Sequence, residues 1–252
     1  MNHLIFFEQD IKNEQMSESV YCISDPMRLK HLQTIIDIKK NQDYKAILIG
    51  QGLCIASCME VQSDKVTFQV KSFTAGERRS LDLLIGLSRP QAIKKVLEYC
   101  SGQPINRIIF YKAELSEKSY SSSKVFEKNK ISELLVQGLS QCGRFHTIPE
   151  VEVLNDFPQK LVEQYQDKFI LSLESSNNIS CYPKILNSNA LVAIGPERGF
   201  TDSELQKFSA LGFQDILLST SILRVETAII AFCSQLELLN FQKRPNFTTM
   251  KK

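Results

Sequence analysis

The chain has 252 residues, 43% of them hydrophobic and 23% charged, with a formal net charge of +2. At about 150 residues per domain that length allows one or two domains, each large enough to bury a core, and the composition is that of an ordinary soluble protein. It excludes a membrane-spanning helix, since no apolar run approaches the ~18 residues needed, and a charge so near balance does not by itself mark nucleic-acid binding. The opening MNHLIFFEQDIKNE has no basic stretch, long apolar core or small-residue cleavage site, so it is not read as a signal peptide and the cytoplasm is the expected location. Seven cysteines without a CxxC pair suit a reducing compartment as small core residues, and beside only three histidines no metal site is expected.

In chain order, Leu4 to Phe7 and Val20 to Ile23 read as strands. Asp25-Pro26 starts a helix, an N-cap followed by proline at the first helical position, leading into Met27 to Ile36. Strands resume from Tyr44 to Ile49, Leu53 to Val61 and Val66 to Phe73, with turns at Gly50-Gln51-Gly52 and Ser63-Asp64. Short strands in close succession predict a small barrel over residues 1–73. The polar TAGERRS, Thr74 to Ser80, reads as a linker.

From residue 74 to 252 strands and helices alternate. Leu81 to Leu87, Arg107 to Tyr111 and Phe169 to Leu173 are expected strands; Pro90 to Cys100 and Ser123 to Leu139 are expected helices. Such alternation predicts a parallel sheet with helices on both faces. Two strand-to-helix units close the chain. In LVAIGPERGFTDSEL the strand Leu191 to Ile194 meets a glycine loop and then a helix opened by Thr201, with Glu204 at the reciprocal capping position. In DILLSTSILRVETAIIAF the run Ile216 to Leu218 meets a Ser-Thr-Ser turn and a helix running to about Leu239, ahead of a frayed PNFTTMKK tail. A glycine-bearing loop at the carboxyl end of a buried strand is where open α/β sheets bind ligands. Neither the dinucleotide fingerprint nor the P-loop is present, so the pattern leaves the ligand unnamed.

Three segments carry a resemblance. Gly195-Pro196-Glu197, with Gly199 and Phe200, matches a GPEGG turn in which Arg198 replaces one glycine. Leu218, Ile222, Leu223, Arg224, Glu226, Thr227 and Ala228 match LGxRILRxETA, with Ser219 and Ser221 departing from it. Gln141-Cys142-Gly143-Arg144 with Pro149-Glu150 matches QCGRxxxPE. In these the chain resembles the ribosomal RNA small subunit methyltransferase E family of the SPOUT methyltransferases.

The resemblance implies a PUA-like RNA-binding β-barrel at 1–73 and a SPOUT domain at 74–252, α/β with a trefoil-knotted parallel sheet. It implies S-adenosyl-L-methionine bent among the turns after Leu173, Ile194 and Leu218. On this chain that puts Leu171, Leu173, Ile194, Gly195, Pro196, Glu197, Gly199, Leu217, Leu218, Ser219, Ile222, Leu223 and Thr227 at the cofactor, and Arg224 and Glu226 at the reacting base. RNA contact would fall on Arg28, His31, Lys39, Arg89 and Arg144. The implied reaction is methyl transfer to N3 of a uridine in the 16S rRNA of the small ribosomal subunit, by a homodimer.

Several family positions differ. Two arginines expected after His31 are Thr34 and Asp37, which removes bidentate phosphate donors and adds repulsion. The lysine and ELG turn of the first helix are replaced by Ser88-Arg89-Pro90 and Tyr99-Cys100-Ser101-Gly102. An ion pair or helix cap would account for Arg224 and Glu226 as well as catalysis would. A SPOUT enzyme acting on another RNA position, and a non-catalytic RNA-binding or ribosome-assembly protein on the same scaffold, therefore stay open as alternatives.

Overall fold

The computed structural model describes residues 2–13, 20–182, 185 and 189–243; the expected tail PNFTTMKK lies outside the described residues. The chain divides into two units, Met1–Arg78 with Val136–Ile148, and Arg79–Leu135 with Pro149–Lys252.

The first unit is a six-stranded mixed sheet of β1 (Leu4–Phe6), β2 (Ile11–Asn13), β3 (Val20–Ile23), β4 (Asp43–Leu48), β5 (Gly52–Val61) and β6 (Val66–Thr74), in the order β1-β4-β5-β6-β3-β2. β1 runs parallel to β4 and the other pairs are antiparallel. Period-two alternation sends Leu4, Phe6, Ala46 and Leu48 into one core with Tyr21 and Phe68. Ile5 and Ile47 point the other way, onto Leu139 and Phe145. Burial on both faces explains why β1 is an unbroken apolar run, and why residues 136–148, far along the chain, belong to this unit. The register slips twice along β5, between Ile55 and Ala56 and between Cys58 and Glu60, and such slips bend a strand and increase its twist.

The expected helix Met27 to Ile36 is two structures. α1 (Pro26–His31) is capped by Asp25, whose side chain accepts from the Arg28 N–H at 2.9 Å, and it widens into a π-helical turn at Leu32–Ile36.

The second unit is a six-stranded, wholly parallel sheet: β7 (Leu81–Gly86), β8 (Ile105–Tyr111), β9 (Glu150–Leu154), β10 (Lys168–Leu171), β11 (Ala190–Ile194) and β12 (Gln214–Ile216), in the order β12-β10-β11-β7-β8-β9. Its helices are α2 (Pro90–Ser101), α3 (Lys128–Ser140, whose last residues join the first unit), α4 (Gln159–Val162), α5 (Asp202–Ala210) and α6 (Val225–Lys243). α5 covers one face, where Phe208 packs with Leu84, Ile109, Leu191 and Ala193. Phe110 faces the other side and meets Phe126 at 5.4 Å, next to α2, which in turn packs on α6. The α/β architecture with a parallel sheet and helices is thus the one expected.

Details differ from the sequence reading. Residues 123–127 are not the first turn of a long helix: a separate 3₁₀ turn, Lys124–Phe126, precedes α3, with Ser123 accepting from the Val125 N–H. β10 and β12 end at Leu171 and Ile216, so Leu173 and Leu218 are loop residues. β9, an edge strand with the sequence EVEVL, alternates charged and apolar residues and has no continuous apolar run.

Candidate cofactor site at the carboxyl edge of the parallel sheet

The carboxyl ends of β10, β11 and β12 open into a cavity of about 270 Å³. The loop after β10 contributes Leu171, Ser172, Leu173 and Glu174. It is tied to the end of β12 by Ser172 N–H to the Ile216 carbonyl at 3.0 Å and by Ser175 Oγ to the Asp215 carbonyl at 3.1 Å.

The loop after β11 contributes Ile194, Gly195, Pro196, Glu197, Gly199 and Phe200. Its turn closes with the Gly199 N–H donating to the Pro196 carbonyl at 2.9 Å, with Gly199 at φ 73°, where a side chain would be strained. A Cβ on Gly86, at the end of β7, would lie 2.5 Å from Pro196 Cδ, so only glycine lets the loop settle on the neighbouring strand. Arg198 is exposed and not in the left-handed region, which is why it replaces a family glycine without strain. The expected capping box opens α5: the Glu204 N–H donates to Thr201 Oγ1 at 3.2 Å and Glu204 Oε2 accepts from the Thr201 N–H at 3.0 Å.

The third wall is the loop from β12 to α6, with Leu218, Ser219, Ser221, Ile222 and Leu223. Ser219 Oγ accepts from the Ser221 N–H at 3.1 Å, and Gln235 of α6 donates to the Leu218 carbonyl at 2.9 Å. Ser219, like Arg198, has no positive φ to require glycine. Val225 and Ala228 of α6 complete the wall. Leu217 and Thr227 do not line the cavity; Leu217 is held by its N–H to the Asn177 carbonyl at 2.8 Å, and Thr227 is exposed.

α2 braces this region. Glu197 Oε1 accepts from the Arg89 N–H at 2.7 Å, at the first turn of α2. The Arg89 guanidinium hydrogen-bonds Tyr120, and that bond, with the charge of Glu197, holds its pKa above the ordinary value. One turn on, Lys95 pairs with Glu226 of α6 at 3.4 Å. Glu226 is therefore occupied by α2, whereas Arg224, just before α6, is exposed and makes no side-chain bond to any described residue. Arg224 is not among the lining residues and stands beside Leu223, which is.

In the first unit, Arg28 is committed to the protein itself. Its guanidinium grips Asp10 through two bonds of 2.8 Å and donates to the Ile5 carbonyl at 2.7 Å. Arg144 pairs with Glu77 at 2.8 Å, and Gly143, at φ 60°, lies so close to His3 that a Cβ would approach the ring at 2.6 Å. The QCGR segment thus packs a turn, with Cys142 Sγ accepting from the Arg144 N–H at 3.4 Å. His31 and Lys39 are exposed.

Residues 76–237 match the family model of the RNA methyltransferase domain. Over 211 residues the chain is 33% identical to ribosomal RNA small subunit methyltransferase E 1 of Borreliella burgdorferi, covering 81% of this chain and 87% of the relative. The chain belongs to the ribosomal RNA small subunit methyltransferase E family. A second member, from Mesomycoplasma hyopneumoniae, is 34% identical over 223 residues, covering 86% of this chain and 93% of that one. A crystal structure of a methyltransferase E from Neisseria gonorrhoeae, bound to S-adenosyl methionine, superposes with a TM-score of 0.76 at 18% identity, over 94% of this chain and 98% of that one. The GPE and LRxETA segments noted in the sequence lie in two walls of one cavity, and the third wall, after β10, holds Leu171 and Leu173, which the resemblance implies although no motif marks that loop.

Proposed function

We infer that the protein is an S-adenosylmethionine-dependent rRNA methyltransferase that methylates N3 of a uridine in 16S rRNA. The observation that carries this reading is the cavity at the carboxyl ends of β10, β11 and β12, built from the family's turn segments.

The residues present suit the donor. Leucine and isoleucine side chains with the main chain of three loops offer an apolar bed edged by amides and carbonyls for an adenosine, and Glu174 and Glu197 supply negative charge for a sulfonium. When bound, S-adenosylmethionine supplies an electrophilic methyl group. The chain's own work is alignment and electrostatics: Gly195 and Gly199 let the main chain approach the ligand, Glu197 and Thr201 fix the middle loop, and the Lys95–Glu226 pair fixes the start of α6. Arg224, without a side-chain partner among the described residues, is the cation for the negative charge that develops on the base as its N3 proton leaves to water. Glu226 is a positioning residue in this reading.

The finer architecture follows the same reading: a trefoil knot at the β11 and β12 loops, a PUA-like RNA-binding barrel in the first unit, a homodimer, and action in the cytoplasm on the small ribosomal subunit. His31, Lys39, Arg89 and Arg144 are its candidate RNA contacts. No described helix is long and apolar enough to cross a membrane.

Calorimetric titration with S-adenosylmethionine tests the site. Saturable binding with a rise in melting temperature is expected, because a ligand of the native state alone stabilises it by mass action. No heat and no melting shift at millimolar donor would remove the methyltransferase reading and leave an RNA-binding protein on this scaffold.

A further inference from the structure

The first unit holds a cavity of about 430 Å³ beside the π-helical turn. Its walls are His31, Ile35 and Ile36 on one side and Gln42, Tyr44 and Lys45 on the other. The backbone around it is irregular: the helix widens at Leu32–Ile36 and ends on Asp37 at φ 54°, and Asn41 follows at φ 63°. Widened turns and left-handed non-glycine residues cost backbone energy and cluster where a local shape is used. The outcome here is that Leu32 and Ile38 enter the core while Ile35 stays 71% exposed at the cavity, with Met27 of α1 79% exposed.

One wall is fixed. Tyr44 Oη accepts from the Lys39 N–H and donates to Gln42 Oε1, each at 2.9 Å, and the ring meets the edge of Phe68 at 6.5 Å. Asp37 and Lys39 pair at 3.0 Å and cancel. Lys45 and His31 are exposed and have no acid partner among the described residues, so Lys45 leaves the mouth positive. An aliphatic tip, a rigid aromatic wall and an uncompensated amine together suit a flat neutral ring joined to an anion.

We propose that this cavity takes one unpaired nucleotide of the RNA substrate, its base against Ile35 and Tyr44 and its phosphate on Lys45. That the polymer is RNA rests on the methyltransferase reading. A duplex keeps its bases stacked and paired and cannot present one to such a cavity, so the surface selects single-stranded or looped RNA.

The test is fluorescence anisotropy of the full chain with a labelled single-stranded RNA dodecamer of mixed sequence and with the same sequence as a duplex. The single strand binds at least about tenfold more tightly. Lys45→Ala weakens single-strand binding about threefold to tenfold and lowers the slope of log affinity against log salt by about 0.7. Ile35→Ser weakens the single strand and leaves the duplex unchanged. Both side chains are exposed, and unchanged melting curves show the variants to be folded. Wild-type affinity and salt slope in both variants, or equal loss on single strand and duplex in Ile35→Ser, overturns the proposal. Donor titration and methyl transfer on the same preparations separate it from its premise. Methyl transfer by the wild type with indifferent variants sinks the cavity alone, whereas the expected RNA results without donor binding sink the methyltransferase reading and leave an RNA site.

Discussion

Arg224 and Glu226 flank the first residue of α6, and of the two only Glu226 has a side-chain partner among the described residues. That difference separates two roles the sequence left entangled. If Arg224 stabilises charge on the target base, Arg224→Ala lowers the single-turnover methylation rate by ~10²-fold or more at saturating donor while donor affinity and melting temperature hold, since the contact exists mainly in the transition state. Arg224→Lys recovers little where the planar fork matters. Glu226→Gln and Lys95→Met share a milder phenotype, because each removes the same pair. A normal single-turnover rate in folded, donor-bound Arg224→Ala would end the catalytic assignment and leave the family assignment standing. The Lys95–Glu226 pair could not be read from the sequence: it joins residues 131 positions apart on two helices. Arg28 was misleading for a related reason, since a basic residue beside a helix cap looks available until Asp10, from another element, is seen to hold it. Arg198 and Ser219 depart from glycines of the family pattern, and the backbone angles show that neither position needs a glycine to avoid strain.

Elements were legible where one physical signal dominated. The buried strand β11 is a continuous apolar run, β7 is one but for Asp82, and Thr201 with Glu204 announces α5 by a capping box that forms as expected. β2 and β9, short or edge strands without such runs, and the π-helical turn, which follows helical periodicity almost to its end, were not. α6 is apolar nearly all round, and one monomer does not bury all of it. Ile229, Phe232 and Leu236 are in the core, while Ile230, Leu238 and Phe241 are 42%, 56% and 44% exposed. Exposed apolar side chains at helical spacing suit a surface for association, and in the proposed homodimer a second copy of the same helix would be the self-complementary partner. Light scattering at micromolar concentration is expected to give twice the chain mass, and Leu238→Glu to shift the protein toward monomer. A monomer mass for the wild type would contradict the dimer.

At the scale of the whole molecule, the sequence predicts a boundary after residue 73, whereas the compact units run to Arg78 and bring Val136–Ile148 into the first. The reason is local chemistry at long range: Leu139 and Phe145 pack on Ile5 and Ile47, a contact that no periodicity within either segment encodes. The QCGR match falls in this returning segment, so Gly143 against His3 and Arg144 on Glu77 give that motif a packing role within the first unit. The candidate cofactor cavity draws its walls from residues between 171 and 228; motif matches mark two of its three main loops, and the third, after Leu171, is implied by the resemblance alone. The activity proposed for the molecule is transfer of a methyl group from S-adenosylmethionine to N3 of a uridine in 16S rRNA. The direct measurement incubates the purified protein with methyl-tritiated S-adenosylmethionine and unmethylated small ribosomal subunits, then maps the label by nuclease digestion and mass spectrometry of the nucleosides. Stoichiometric label is expected in 3-methyluridine at a single 16S position. No label in rRNA, from protein shown to be folded and donor-bound, or label in another nucleoside, would contradict it.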